Sequence, residues 1–344
     1  MIARKISVIL VFFLGFLITF FLTFSIDVQN VSQPLPKKTW SLQEEEIYIH
    51  PFDIRSMSRD FYHLDEPVPL LPDNTPLDMH GIAVYKDAKT GKYYNHPVRL
   101  AHHTIHFITS YEMTNDSRYL DHARKYAQRL VDIAEVNGEA MYFPYQFDMD
   151  LHNIHGEHLE APWYSGMAQG QALSAFVRLY KVTNEEKYQE WAHQVFASFK
   201  QLKSQNHWVA MVDNHYYWIE EYPMEQPTKV LNGFIFAIYG LYDYYQLTKD
   251  NQVKIYLQAS LTTVHDHLTQ YRRKDDAGLY CLKHAHQSPH YHLVHIEQLQ
   301  SLYQMTGVSY FLEMSQIFHH DWYGFRAIIK RCVEWIAEKI GVSL

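Results

Sequence analysis

Four short segments share the pattern that decides the fold: Tyr111-Glu-Met-Thr114, Tyr180-Lys-Val-Thr183, Tyr245-Gln-Leu-Thr248 and Tyr303-Gln-Met-Thr306. Apolar residues at helical spacing flank each copy on both sides. Threonine followed by Asn, Lys or Gly and then by acids is typical of the cap of a second helix. Each copy therefore predicts a helix, a tight turn and a second helix.

Four such units predict a mainly α fold of eight helices that bury their apolar faces by stacking on one another. The predicted arrangement is a closed or partly closed (α/α) toroid, with an open solenoid as the alternative. The connections between units, 136–164, 204–227 and 271–290, are long and would lie together at the end opposite the Tyr-x-x-Thr turns. Long connections in a compact domain usually carry function. Their aromatic, His, Asp and Glu residues suit stacking on sugar rings.

The composition excludes several classes of protein. A hydrophobic fraction of 47% in 344 residues is too high for a disordered chain. A net charge of −8 argues against a general nucleic-acid binder, which needs a basic face. Two cysteines, Cys281 and Cys332, cannot form a disulfide framework or a cysteine-rich zinc site.

The amino-terminal segment predicts a membrane anchor. Residues 6–26 carry no charge, and about 20 helical residues cross a bilayer core. Arg4 and Lys5 precede this run, which predicts a cytoplasmic amino terminus and a single-pass type II protein with the rest of the chain on the non-cytoplasmic side. A cleaved signal peptide is the alternative.

Beyond the anchor the sequence divides into four parts. Polar residues and prolines predict a linker, an irregular segment follows, and the repeats define the toroid. Short strands are expected around Ile82–Tyr85 and Lys92–Asn95. The last part has the spacing of an amphipathic helix, for which packing on the toroid is expected, with another subunit or the membrane surface as alternatives. The predicted boundaries are 1–26 for the cytoplasmic tip and anchor, 27–60, 61–97, 98–322 and 323–344.

Several local patterns allow both a functional and a structural interpretation. In Trp163-Tyr-Ser-Gly-Met-Ala-Gln169, small residues allow close helix contact, while Trp163 and Gln169 could line a pocket. Adjacent Glu220 and Glu221 would not face each other in a strand, so a solvated loop competes with a role in acid–base catalysis.

Histidine-rich stretches suggest zinc but do not match its signatures. The run His152-x-x-His155-x-x-His158 crosses Gly156 in a loop, which removes helical ligand geometry. The second stretch, His102-His103-x-x-His106, adds no zinc signature either. The sequence therefore predicts no catalytic metal.

In combination, five ordered segments resemble the D-glucuronyl C5-epimerase family in its C-terminal helical domain. They are WYSGMAQGQALS (163–174), EEYP (220–223), VLNGFIFAIYGLYD (230–243), the stretch around Tyr280, and YHLVHIEQL (291–299). The resemblance implies an (α/α) toroid that inverts C5 of glucuronate to iduronate within a heparan-type acidic polysaccharide. It also implies a homodimer and requires no cofactor.

The resemblance implies a set of catalytic residues as well. Tyr280 and Tyr291 match the family's catalytic tyrosines, and Glu221 and Tyr222 match its acidic and tyrosine positions. The family's Tyr-Asp-Leu-Arg-His is here Tyr-Cys-Leu-Lys-His, so Lys283 replaces an arginine. Lysine keeps the charge but lacks the two-pronged contact to a carboxylate.

The chemistry of C5 inversion suits these residue types. A base removes the proton next to the carboxylate while a cation stabilises the developing charge, and a second group returns a proton from the opposite face. We expect Tyr280 and Tyr291 to serve the two faces, Glu221 to act as a base or to hold a tyrosine, and Lys283 to neutralise the carboxylate and lower a tyrosine pKa. The expected sugar-positioning residues are Tyr222, Trp163, Tyr164, Gln169, Asn232, His284, His292 and His295.

Three other functions remain open at this stage. A polysaccharide lyase shares the first step and then expels the C4 substituent. A toroidal glycoside hydrolase needs two carboxylates, for which Glu157, Glu160 and Glu221 are candidates. A membrane-anchored glycan-binding protein without catalysis is the third, and the lysine at position 283 is its best support.

Overall fold

The computed structural model describes residues 35–59, 62–70, 75–154, 156–203 and 207–340. Helices dominate this part of the chain, as predicted. They are α1 (Pro97–Thr114), α2 (Ser117–Asp132), α3 (Gly166–Thr183), α4 (Glu186–Ser198), α5 (Leu231–Thr248), α6 (Asn251–His267), α7 (Pro289–Thr306), α8 (Ser309–Tyr323) and α9 (Phe325–Ile340).

Short antiparallel strand pairs complete the described part of the fold. They are β1 (Lys38–Leu42) with β2 (Glu45–Ile49), β3 (Tyr85–Lys86) with β4 (Tyr93–Tyr94), β5 (Glu135–Asn137) with β6 (Ala140–Tyr142), β7 (Met149–Asp150) with β8 (His158–Leu159), and β9 (Ala210–Asp213) with β10 (Tyr216–Ile219). The last three pairs lie in the first two long connections between helical units, and β3 and β4 lie where short strands were expected.

The repeated threonine closes the first helix of every unit. The Thr114 hydroxyl donates to the Ser110 carbonyl oxygen at 2.7 Å and accepts the Asp116 backbone N–H at 3.2 Å. The residue that follows the threonine is left-handed in all four copies. Threonine therefore does not cap the second helix; in two copies the side chain two residues later, Asp116 or Asp250, does so. The same pair of threonine bonds recurs at Thr183, Thr248 and Thr306.

The helical hairpins pack as in the predicted (α/α) toroid. The first helices of the units, α1, α3, α5 and α7, contact one another in chain order, and each second helix packs against the first helix of its own unit. Helix α5 is buried along most of its length, which is the pattern of a helix surrounded by protein. Helices α3 and α5 approach closely: a Cβ on Gly170 would lie 2.3 Å from the Ala237 Cα.

The part of the expected linker that the structure describes is packed on the helical domain. Ile47 and Ile49 of β2 are buried in the main core, and β2 contacts α6 and β10. Asp266 on α6 accepts hydrogen bonds from His50 and Tyr216 at 2.8 Å and pairs with Lys37 at 2.6 Å. The linker prediction was wrong here because alternating burial in β2 is too short a signal to stand out among polar neighbours.

The carboxy-terminal helix α9 is amphipathic, as predicted, but its large apolar residues are not covered. Ala327 and Ala337 are buried, whereas Trp335 is 61% exposed and Ile336 is 51% exposed. The expected packing of this face on the toroid is therefore wrong.

The predicted membrane anchor, residues 6–26, lies outside the described residues. Among the residues that the structure does describe, no helix is both long enough and apolar enough to span a bilayer.

The contact between α3 and α5 gives the first prediction. A Cβ on Gly240 would lie 2.2 Å from the Gly170 carbonyl oxygen. Gly240→Ala should therefore lower the free energy of unfolding by about 1–2 kcal/mol, although alanine favours helix by about 1 kcal/mol. Urea denaturation of the full chain measures it, and Glu190→Ala on the exposed face of α4 should change it by less than about 0.5 kcal/mol. Equal stability of the Gly240 variant and the wild type would contradict this packing.

Candidate active site

The candidate active site lies where the long connections between helical units meet. Strand β10 leads directly into Glu220 and Glu221, and the Glu220 carbonyl accepts the Gly166 backbone N–H at the start of α3 at 2.8 Å. Tyr280 lies within the third connection and is held against the start of α5, because its carbonyl accepts the Leu231 N–H at 3.1 Å. Tyr291 lies in the first turn of α7, where Ser288 caps the helix.

The two adjacent glutamates are both buried but have different partners. Glu220 accepts the Thr228 hydroxyl and backbone N–H, both at 2.8 Å, and the Lys229 backbone N–H. The Glu221 carboxylate accepts the Tyr280 hydroxyl at 3.3 Å. Burial raises the pKa of Glu221 to about 7, and the bonds from Tyr222 and Tyr280 offset this only in part. The expectation of a solvated loop here is wrong.

Three of the expected catalytic residues form one chain of hydrogen bonds. The hydroxyls of Tyr222 and Tyr280 lie 3.2 Å apart, and Tyr280 donates to Glu221. If Tyr280 gives its proton to Glu221, Tyr222 is the donor to Tyr280. Burial, with the charge of Glu221, raises the pKa of both tyrosines well above 10.

Tyr291 completes the cluster from the neighbouring helix. Its ring centroid lies 4.5 Å from that of Tyr280, with the planes tilted by 39°. Burial, and after it the charge of Glu221, raises the pKa of Tyr291. Tyr291 is only partly buried, whereas Tyr280 is 4% exposed. Both phenols are therefore neutral at pH 7.

Lys283 is placed differently from the expectation. Its ammonium pairs with the Glu157 carboxylate at 2.7 Å, and the same carboxylate oxygen lies 3.3 Å from His284 Nε2. Burial, and after it the neighbouring Glu221 and tyrosines, raises the pKa of Tyr280, and Lys283 is not among the groups that shift it most. The expectation that Lys283 lowers a tyrosine pKa is therefore wrong in this arrangement, because the ion pair with Glu157 neutralises the charge of Lys283.

A cleft of about 650 Å³ borders this cluster. Trp163, Tyr164 and Trp208 line it together with Glu157 and Lys283. A second depression of about 630 Å³ shares Gln226 and Lys283 with it, so the two form one groove. Of the five expected catalytic residues, Lys283 alone is among the described residues that line the groove. The other four are not among its lining residues, and the Tyr222 ring lies 6.0 Å from that of Trp163, which lines the cleft.

Two aromatic residues expected to position a sugar are at the cleft and are held firmly. The Trp163 ring stacks on Tyr145 at 3.9 Å and 13°, and its indole N–H donates to the Phe147 carbonyl at 2.8 Å. The Tyr164 hydroxyl donates to Glu135 at 2.5 Å. Tyr164 keeps partly exposed ring surface for stacking on a sugar, whereas Trp163 is 6% exposed and has one face covered by Tyr145. His284 is near the cleft as well, through Glu157.

Four other expected sugar contacts are buried in the helical core instead. The Gln169 amide is occupied by Phe143, Met141 and Ser198. The His292 ring accepts from Gly278 N–H and donates to the Phe318 carbonyl. No exposed surface is left on these side chains for a sugar, because they lie on the inward faces of α3, α5 and α7. The four residues are Gln169, Asn232, His292 and His295, each at most 1% exposed.

Sequence reasoning missed two contributors to the site. Glu157 was weighed only as a hydrolase carboxylate, and the structure makes it the partner of Lys283. His152 was weighed only in a loop histidine run, and the structure brings it to Cys281, with Nε2 3.3 Å from Sγ. These partners lie more than 120 positions apart, so no local pattern in the sequence could have found them.

Three groups among the described residues could hold a metal ion. Two of them, His50 with His265 and Asp266, and Asp275 with His320 and Asp321, contain a carboxylate that already pairs with a cation, Lys37 or Arg272. The third is His152 with Cys281 and His284, next to Tyr280. His155 lies outside the described residues.

Comparison with known proteins agrees with the sequence resemblance. A model of the D-glucuronyl C5-epimerase C-terminus matches residues 136–320, which is more than half of the chain. The chain belongs to this family. The matched range contains both tyrosines, both glutamates and Lys283.

Individual relatives share parts of the chain. The D-glucuronyl C5-epimerase of Caenorhabditis elegans is 40% identical over 85 residues, 25% of this chain and 14% of that protein. An uncharacterized protein of Methanocaldococcus jannaschii is 26% identical over 185 residues, 53% of this chain and 58% of that protein. The matches thus span less than two thirds of either relative.

Solved structures with similar folds include carbohydrate-active enzymes. A cellobiose 2-epimerase from Bacillus thermoamylovorans has a TM-score of 0.47 at 13% identity, covering 65% of this chain and 59% of that one. A D-mannose isomerase has a TM-score of 0.49 at 11% identity, covering 73% and 65%.

The environment of Glu221 gives a pH prediction. With a pKa of about 7 instead of 4.5, Glu221 should keep its proton in the folded state as pH rises to near 7. The folded state then binds the extra proton, so this group lowers the free energy of unfolding as pH rises from about 4.5 to about 7. Infrared spectra should show a protonated carboxyl band at pH 6 that disappears by pH 8.

The matched variants separate Glu221 from other carboxylates. Burial also raises the pKa of Glu220, so the diagnostic signal is the component of the band that titrates near pH 7. Glu221→Gln should remove this component. Glu157→Gln should keep it, because the hydrogen bond from Lys283 lowers the pKa of Glu157. A component titrating near pH 7 that is unchanged in Glu221→Gln, or a wild-type band that has titrated fully by pH 5, would refute the assignment.

Proposed function

We propose that this protein is a C5-epimerase that converts D-glucuronate to L-iduronate within a heparosan- or heparan-type polysaccharide. The observation that carries the proposal is the buried chain Tyr222–Tyr280–Glu221, with Tyr291 in ring contact. It supplies two acid–base centres at one place, as inversion at a carbon next to a carboxylate requires. Membership of the C5-epimerase family supports the same reaction.

Tyr280 and Glu221 act together as the base in this proposal. Glu221, with a pKa near 7, is a stronger base than an ordinary carboxylate and accepts the phenol proton of Tyr280. The Tyr280 oxygen then takes the C5 proton, and Tyr222 donates a hydrogen bond to that oxygen. The C5 proton ends on Tyr280 and the former Tyr280 proton ends on Glu221, which releases it to solvent before the next turnover.

Tyr291 is the acid that completes the inversion. Its raised pKa keeps the phenol protonated, so it can deliver a proton to C5 from the opposite face. The phenolate left behind recovers a proton from solvent, which its partial exposure allows. A sugar between two ring faces needs a separation of about 7 Å, because non-bonded carbons approach to about 3.5 Å. The Tyr280 and Tyr291 centroids are 4.5 Å apart, which is too close for a sugar to bind between the rings. C5 must therefore lie near the hydroxyl ends of the two rings and not between their faces.

Lys283 stabilises the substrate carboxylate as C5 loses its proton. In the structure this ammonium pairs with Glu157. The uronate carboxylate therefore takes the place of Glu157, or joins it, on Lys283. This competition replaces the two-pronged arginine contact of the family pattern.

The groove suits a polymer that carries little sulfate. Its length and the aromatic residues Trp163, Tyr164 and Trp208 suit several consecutive sugars. Three glutamates, Glu157, Glu160 and Glu225, line the cleft beside Lys283. Sulfate groups would be repelled by this acidic lining. Residues 6–26 would anchor the chain so that the polymer is met on the non-cytoplasmic side of a membrane.

Single-tyrosine variants test the division of labour. In D₂O with heparosan, Tyr291→Phe should lower conversion to iduronate by a factor of about 10² to 10⁴, the usual contribution of a positioned acid or base. It should still exchange C5 hydrogen in glucuronate, because Tyr280 and Glu221 remain. Tyr280→Phe should lose exchange in glucuronate. NMR of the recovered polymer reads both quantities.

The control variant is Tyr303→Phe, in the last turn of the same helix as Tyr291, which should convert glucuronate at the wild-type rate. Near-normal conversion by Tyr291→Phe would contradict the two-tyrosine mechanism. Shortened chains with unsaturated, ultraviolet-absorbing ends would instead indicate a lyase.

A further inference from the structure

His152, Cys281 and His284 bring three soft donor atoms together next to the catalytic tyrosines. His152 Nε2 lies 3.3 Å from Cys281 Sγ, and His284 Nδ1 lies 3.4 Å from the same sulfur. All three donor atoms lie within 4.8 Å of one another. The residues come from two separate loops, one after β7 and one after Gly278.

These separations are close to the edges of a tetrahedral zinc site. With Zn–N of about 2.05 Å and Zn–S of about 2.3 Å, a tetrahedral angle places nitrogen and sulfur about 3.5 Å apart. Both nitrogen–sulfur distances are within about 0.2 Å of that value.

The backbone and the neighbouring rings hold His152 toward the sulfur. His152 has a left-handed φ of 55°, a conformation that is uncommon outside glycine. Its ring stacks on His286 at 4.1 Å and 25°. A strained backbone that aims a donor at a cluster is a recurrent feature of functional sites.

Glu157 provides the outer contact that metal-bound histidines usually have. Its carboxylate lies 3.3 Å from His284 Nε2, on the side of the ring opposite the sulfur. With the proton on Nε2, His284 Nδ1 has a free lone pair toward Cys281. A carboxylate behind a histidine fixes the tautomer and strengthens the ligand. Lys283 holds the same carboxylate in place at 2.7 Å.

We propose that His152, Cys281 and His284 bind a zinc-class divalent cation, with three protein ligands and a fourth position for water. The Cys281 thiol loses its proton when the metal binds, and the proton goes to solvent. The bound ion ties the loop after β7 to the loop that carries Tyr280, whose ring lies 5.4 Å from that of His152. This proposal does not depend on the epimerase reaction.

Metal content of the full chain tests the proposal. Detergent-solubilised protein, purified without chelator, is dialysed against micromolar Zn²⁺ and then against metal-free buffer. Elemental analysis should find one zinc per chain. Replacing zinc with Co²⁺ should give near-ultraviolet absorption from a thiolate–cobalt bond, and zinc should raise the melting temperature.

Matched variants locate the ligands. Cys281→Ser and His152→Gln should each lose zinc, the cobalt absorption and the zinc-dependent rise in melting temperature. Cys332→Ser, which removes the exposed cysteine, and His158→Gln, in the same connection as His152, should keep all three. Circular dichroism checks that each variant is folded. The proposal is overturned if the wild type retains no zinc, or if folded Cys281→Ser binds zinc and cobalt as the wild type does.

Discussion

The site depends on a carboxyl group that is buried without a cation. Glu221 is 6% exposed, and its pKa rises to about 7 because the carboxylate loses water and gains only phenol hydroxyls in return. Gly233 makes room for it, since a Cβ there would lie 2.1 Å from Oε2. Glu220, one residue earlier, is oriented the other way and satisfied by Thr228 and Lys229. Had Glu221 an ion-pair partner instead, its pKa would fall and it would no longer take a proton from Tyr280.

The helical part of the fold could be predicted because its signals are local and repeated. Each Tyr-x-x-Thr segment ends a helix through the same two threonine bonds, so four copies reveal four hairpins. Other parts rest on distant partners. Strand β2 is buried because α6 and β10 pack against it, and one side of α9 is exposed because no described residue covers it. The periodicity of a segment predicts its apolar face but not which other segment packs against that face.

The family resemblance was enough to predict which residues form the core of the candidate site. Tyr280, Tyr291, Glu221 and Tyr222 do lie together. The ion pair between Lys283 and Glu157 could not be predicted in the same way, because the two residues are 126 positions apart in the sequence. The inward-facing residues of α5 and α7 were misjudged for another reason. Polar side chains at a helix start look like ligand contacts, but Asn232, His292 and His295 lie on the faces that the toroid buries.

The proposed reaction is proton exchange at C5 with inversion and without chain cleavage. The most direct test is to incubate the wild-type full chain with heparosan in D₂O and to read the polymer by NMR and by size. We expect iduronate carrying deuterium at C5, in chains of unchanged length. Glucuronate that stays fully protonated at C5 under conditions where the protein binds the polymer would contradict it.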